Sequence, residues 1–120
     1  MSNIQRIIDT LKENAVGKKE LESYLESKLV LVKVNAIVYV IRHKILDNNI
    51  INKLKVIGEN INCEPIVLGS YTTGHFAIAA LYMLNSSKTL KIFNEINGKL
   101  NEYDKESVIR LIKEMPYLFK

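Results

Sequence analysis

One apolar stretch occurs twice in this chain, and the repetition constrains the fold more than any other feature. Residues Val32–Val40 align with Thr73–Leu81 at an offset of 41 residues. The alignment contains three apolar matches: Ala36 with Ala77, Ile37 with Ile78, and Val40 with Leu81. A period of this length is typical of stacked helix pairs, which usually form binding surfaces rather than catalytic pockets. The repetition therefore predicts a helical protein.

The spacing of apolar residues predicts about seven helices along the chain. One helix would lie at the N-terminus, and the other six would form three antiparallel pairs. The predicted helices are Asn3–Asn14, then Lys18–Ser27 with Val30–Lys44, Asp47–Ile61 with Thr72–Asn85, and Ser87–Asn101 with Asp104–Met115. No linker or low-complexity stretch interrupts this series, so we expect residues 1–120 to form a single domain.

Local signals fix the expected ends of these helices. Short polar residues are good N-caps, and the candidates are Asp47, Thr72 or Thr73, Ser86 or Ser87, and Asp104. Pro116 is expected to stop the last helix because proline lacks the backbone donor that a helix needs. Residues Asn62–Tyr71 are predicted to form a long loop, since they contain Pro65 and Gly69.

An α/β fold is the alternative that the same residues allow. Leu29–Ile41 is rich in β-branched residues, which favour strands, and Cys63–Leu68 could form a second strand. However, Leu29–Ile41 is longer than a usual strand, and its match to a second alanine-centred stretch favours a helix. We therefore predict an all-α fold.

The pattern Val32-Lys33-x-x-Ala36-x-x-x-Val40 resembles the second-helix signature of HEAT repeats. That signature places an apolar and a basic residue before a small alanine at a close helix contact. The resemblance covers about Lys18–Met115, and the second copy has Gly74 where the first has the basic residue. It implies a short, right-handed stack of about three helix pairs behind an N-terminal helix.

Composition limits the compartment and the partner. The single cysteine, Cys63, excludes an internal disulfide and suits a reducing compartment, so we expect a cytoplasmic protein without a membrane span. The net charge of +4 is mildly basic, but only three arginines are present, and arginine is the residue best suited to phosphate and base contacts. Nucleic acid is therefore an unlikely partner, although a helical-repeat protein that binds nucleic acid is kept as the alternative.

Catalytic motifs are weak in this sequence. Gly69 and Gly74 have the spacing of a phosphate-binding loop, but His75 stands where that loop needs a lysine. Cys63 and His75 could form a nucleophile pair only if they approach within hydrogen-bond reach. His75 and His43 lack second ligands at metal-binding spacing. We therefore predict no enzyme, no cofactor and no metal site.

The most plausible contact patch is the loop before the second alanine-centred helix. We expect Ser70, Tyr71, Thr72 and His75 to bind a partner there, together with the basic residues Lys33 and Arg42 of the first copy. Tyr71 either is exposed in this loop or packs over the neighbouring helix ends. These features predict a non-catalytic module that recognises one partner protein. The size and the apparent bacterial composition suggest an immunity protein that neutralises a toxin domain.

Overall fold

The computed structural model describes residues 3–13 and 16–118, and most of these residues are helical. Within those ranges the seven helices are α1 (Asn3–Lys12), α2 (Lys18–Leu25), α3 (Val30–Arg42), α4 (Asn48–Glu59), α5 (Thr73–Leu84), α6 (Ser87–Asn97) and α7 (Glu102–Leu118). The predominantly helical prediction is confirmed. Leu29–Ile41 is not a strand, because its residues from Val30 onward form α3. The predicted end of the first helix, Asn14, lies outside the described residues.

Side-chain caps start three of these helices at the predicted places. Asp47 accepts hydrogen bonds from the backbone N–H groups of Asn49 (2.9 Å) and Ile50 (3.2 Å) at the start of α4. Thr72 caps α5, and Ser86 caps α6 in the same manner. Such caps satisfy amide groups that have no partner inside the helix. The capping residues were therefore enough to predict where these three helices begin.

Both predicted boundaries of the last helix are wrong. The cap is Asn101, whose Oδ1 accepts from the backbone N–H of Asp104 at 2.7 Å, so Asp104 lies inside the first turn. Pro116 does not end α7, which continues to Leu118. Near a helix end, proline removes only one intrahelical hydrogen bond, and the buried side chain of Met115 holds this turn against the core.

Helix α5 is the centre of the domain. Every residue from Thr73 to Leu81 is buried, and α5 contacts α3, α4, α6 and α7. Two rows of contacts run through the fold, one along α2, α4 and α6 and the other along α3, α5 and α7, with α1 against α3. The last two helices do not form the predicted pair, because α6 and α7 pack mainly against α5 and not against each other. The apolar surface of α5 explains this preference because it can be buried on all sides.

The predicted loop Asn62–Tyr71 has a defined structure. A 3₁₀ turn at Ile61–Cys63 leads to an antiparallel hairpin of strands β1 (Ile66–Leu68) and β2 (Tyr71–Thr72). Gly69 turns the chain with a φ of +57°, a conformation that glycine adopts readily. The alternative interpretation of Cys63–Leu68 as a strand was therefore correct over three residues, but in a hairpin rather than a larger sheet.

Gly74 lets the 3₁₀ turn lie directly on the start of α5. A Cβ atom at Gly74 would lie 2.7 Å from the Cα of Ile61 and 2.9 Å from its Cγ1. We expect Gly74→Ala to lower the free energy of unfolding by about 1–3 kcal/mol, measured by urea denaturation, because backbone must move to relieve this overlap.

Gly17→Ala is the matched control for this prediction. A Cβ atom there would meet nothing closer than Glu20 Oε1 at 3.5 Å. Gly17→Ala should lower the free energy of unfolding by less than about 1 kcal/mol, because Gly17 is the N-cap residue of α2 and alanine caps a helix less well than glycine. Equal effects of the two substitutions would contradict the close approach at Gly74.

Candidate functional site

A buried ion pair fixes the base of the hairpin to two helices. The Nζ of Lys33 on α3 lies 2.8 Å from Glu64 Oε1, and the side chains are only 12% and 13% exposed. The hydroxyl of Thr73, the first residue of α5, donates to the same carboxylate oxygen. Satisfying both charges in this way offsets the cost of removing them from water. Glu64, two residues before β1, is therefore held against α3 and α5.

A second polar cluster, at the end of β2 and the start of α5, fixes the same base of the hairpin. The backbone N–H of Thr72 donates to Nδ1 of His75 at 3.0 Å, and the Thr72 hydroxyl accepts from the N–H groups of Gly74 and His75. Nε2 of His75 lies 2.9 Å from Oδ1 of Asp104 on α7. The imidazole is almost fully buried. This reciprocal cap joins the hairpin, α5 and α7.

The hydrogen bonds determine which nitrogen of His75 carries the proton. Nδ1 accepts from the Thr72 amide, so the neutral ring has its proton on Nε2 and donates it to Asp104. Thr72, His75 and Asp104 stand in the order of a hydroxyl–imidazole–carboxylate triad. However, the Nδ1 lone pair faces a backbone amide, and the Thr72 hydroxyl caps α5. The geometry is that of a helix cap rather than a base beside a nucleophile.

Tyr71 takes the second of its two predicted positions and packs over the helix ends. It is buried, its hydroxyl donates to Glu114 Oε2 on α7 at 3.2 Å, and its ring meets His75 and Phe76 edge-on. Burial, followed by the charge of Glu114, raises the pKa of the Tyr71 hydroxyl above its usual 10.0. This side chain stabilises the hairpin and is not a free contact residue.

Four of the six predicted binding residues therefore form the support of the hairpin: Lys33, Tyr71, Thr72 and His75. Ser70 is exposed at the turn, as a contact residue needs to be. Arg42 is exposed at the far end of α3, where it lines a cavity with Met83 and Met115. The structure does not bring Arg42 into the hairpin cluster.

Two apolar side chains on the hairpin were missed by the sequence analysis. Ile66 is 65% exposed and Leu68 is 49% exposed, whereas Val67 between them packs against the core. This alternation is the period of a strand with one buried face. The Gly-Ser turn after Leu68 was the available signal, but three residues are too few for a pattern to stand out. We call Ile66 and Leu68 the hairpin face.

The other chemical candidates are separated by the fold. Cys63 is exposed, and because both ring nitrogens of His75 are bound to Thr72 and Asp104, no hydrogen bond joins this cysteine to His75. Strand β2 lies between Gly69 and Gly74 and pairs with β1, so the two glycines do not belong to one phosphate-binding loop. Over residues 3–13 and 16–118, no group of three His, Cys, Asp or Glu side chains could hold a metal ion.

The chain matches no known family model, and neither a curated protein nor a solved structure is significantly similar to it. In the part of the chain that the structure describes, no helix is long and apolar enough to cross a membrane. The function of this domain must therefore be inferred from its own geometry.

The bond between His75 and Asp104 predicts strong coupling between α5 and α7. We expect His75→Ala and Asp104→Ala each to lower the free energy of unfolding by about 1.5–3 kcal/mol, because each leaves a buried polar atom without its partner. The double variant should lose clearly less unfolding free energy than the two single variants lose together, as measured by urea denaturation in a double-mutant cycle.

Glu102→Ala is the control on the same helix, since its carboxylate is 86% exposed and lies 3.6 Å from Lys105. Its effect should stay within about 0.5 kcal/mol. Strictly additive losses at His75 and Asp104 would mean that their contact contributes nothing.

The Tyr71 hydroxyl predicts a dependence of stability on alkaline pH. Near neutral pH, Tyr71→Phe should cost about 0.5–1.5 kcal/mol through the lost bond to Glu114. Because the pKa of Tyr71 is higher in the folded state, its contribution is complete below pH 10.0 and declines as pH rises through the folded-state pKa. The gap in stability between wild type and Tyr71→Phe should therefore narrow above pH 10.0 in urea titrations, and a constant gap would contradict the raised pKa.

Proposed function

We propose that this domain is a non-catalytic module that binds one partner protein through the hairpin face. The observation that carries this proposal is the exposure of Ile66 and Leu68 on a hairpin whose base is fixed by buried polar contacts. Exposed apolar side chains that stand together are common at protein–protein interfaces. The exposed turn residues Gly69 and Ser70 extend this surface with backbone polar groups.

The rigidity of the hairpin supports a role in recognition. Glu64 is bound to Lys33 and Thr73 on one side, and the carbonyl of Pro65 accepts from the backbone N–H of Thr73 at 3.0 Å. Tyr71 is bound to Glu114 at the other side. A segment that is ordered before binding loses less conformational entropy when a partner docks. The polar residues of this region thus serve the recognition surface indirectly, by holding it in place.

The state of the polar side chains supports a function without catalysis. His75 and Thr72, the pair best placed for proton transfer, are both engaged in capping α5. No hydrogen bond joins Cys63 to His75, because both ring nitrogens of His75 are bound to Thr72 and Asp104. Activated nucleophiles need such a base within hydrogen-bond reach. A binding role needs none of these groups to be free.

We also propose that the helices form a short HEAT-like stack, and the two rows of contacts, one along α2, α4 and α6 and the other along α3, α5 and α7, support this arrangement. More narrowly, we propose that the protein is a cytoplasmic immunity protein that covers the active surface of one toxin domain. A compact domain of this size offers a surface suited to one partner at a time. Nothing in this role requires a cofactor.

The test uses a double variant, Ile66→Ser with Leu68→Ser, as affinity bait beside the wild type. We expect the wild type to retain one protein in stoichiometric amount from cells of the source organism. The double variant should bind this protein at least about tenfold more weakly, since two apolar anchors are lost from the contact. Affinity is then measured with the purified pair, and a toxin partner should also lose its activity when the wild-type domain is added.

Leu46→Ser with Ile109→Ser is the matched control, because these side chains are 43% and 50% exposed and neither lies on the hairpin: Leu46 follows the end of α3 and Ile109 lies on α7. The control should bind like the wild type, and circular dichroism should show that both variants are folded. Absence of any stoichiometric partner would refute the module, whereas equal weakening by both variants would refute the hairpin face.

A further inference from the structure

A groove between α4 and α6 carries a group of lysines that the hairpin does not involve. Its cavity of about 280 Å³ is lined by Lys55 on α4 and by Lys88 and Lys91 on α6, above Ile51 and Ile92. We call these three lysines and their two apolar neighbours the lysine groove. Glu95 is the one acidic residue among those that line it. The groove therefore combines a positive rim with an apolar floor.

The charges of this rim are not neutralised within the domain. Four other lysines of the described residues pair with carboxylates: Lys18 with Asp47, Lys33 with Glu64, Lys53 with Glu26, and Lys105 with Glu102. The groove lysines also differ from scattered exposed lysines, such as Lys12 and Lys113, because all three surround one concavity. Over residues 3–13 and 16–118, no carboxylate lies within ion-pair distance of the three groove lysines. Lys88 donates instead to the neutral Oδ1 of Asn48 at 2.6 Å. Three unpaired charges around one concavity attract an anionic ligand.

The groove continues beyond these lysines along both helices. A second cavity of about 450 Å³ shares Lys55 and Glu95 and adds Lys99 and Glu59 over Gly58 and Ile96. Gly58 lets α4 lie close to α5 and α6 at this point, since a Cβ atom there would be 2.9 Å from Ile78 Cγ1 and 3.4 Å from Ile96 Cδ1. At about 1.5 Å per residue, the 11–12 residues of each wall give a groove roughly 17 Å long. This length suits a short segment of a macromolecule better than a single ion.

We infer that the lysine groove binds an acidic segment of the partner protein, with carboxylates over Lys55, Lys88 and Lys91 and an apolar side chain on the floor. Three features favour protein over nucleic acid. Glu59 and Glu95 would repel an evenly charged phosphate chain, no arginine or aromatic residue lines the groove, and the isoleucine floor suits an apolar side chain. The inference rests on the proposed function for the class of partner, but it uses a different surface.

The test measures binding of two labelled probes by fluorescence anisotropy at low ionic strength. One probe is a peptide of about six residues that alternates glutamate with leucine, which spans the groove in extended form at about 3.3 Å per residue, and the other is a thymidine oligonucleotide of equal charge. The wild type is compared with Lys55→Gln/Lys88→Gln/Lys91→Gln. The matched control, Lys12→Gln/Lys19→Gln/Lys113→Gln, removes the same charge from exposed positions on α1, α2 and α7.

We expect the acidic peptide to bind the wild type and the control alike, and to bind the groove variant at least about fivefold more weakly, with an affinity that falls as salt is added. No binding to the wild type, or equal weakening by both triple variants, would overturn the inference. Tighter binding of the oligonucleotide through the same lysines would overturn it in favour of nucleic acid. Because neither probe requires the hairpin partner, failure here is distinguishable from failure of the proposed function.

Discussion

Burial of α5 on all sides is the constraint on which the rest of this structure depends. A helix surrounded by four others must find partners for the unpaired amide groups of its first turn without the help of water. Thr72 and His75 supply those partners, and Asp104 in turn satisfies the imidazole. The small residues Gly74, Ala77 and Ala80 let the neighbouring segments approach. The polar chemistry near α5 is therefore a consequence of its burial.

The hairpin follows from the same constraint. The chain must travel from the end of α4 to the buried start of α5, and Glu64 meets both Lys33 and Thr73 on that path. Val67 and Tyr71 then contribute apolar surface to the core. Alternation along β1 leaves Ile66 and Leu68 on the outer side. A connection required by packing thus presents a small apolar surface on a rigid support.

Two groups of charged side chains in this domain have contrasting surroundings. Lys33, Glu64, His75 and Asp104 are buried or nearly so and are satisfied by one another, so they hold elements together. Lys55, Lys88 and Lys91 surround a groove and have no carboxylate partner among the described residues. A charge that is paired inside the domain is not available for binding, whereas unpaired charges around a concavity are. Whether a charged side chain is paired within the domain therefore indicates its role better than its residue type does.

The sequence by itself determined the helices and most of their starts, because hydrophobic periodicity and caps such as Asp47 and Ser86 act within a few residues. It did not reveal that Pro116 would lie inside α7, or that Tyr71 and His75 would be buried. The burial of Tyr71 and His75 depends on contacts with Glu114 and Asp104, which lie 43 and 29 positions away along the chain. Only the tertiary structure decided which polar side chains support the hairpin and which lysines stay unpaired, since pairing is a property of distance in space.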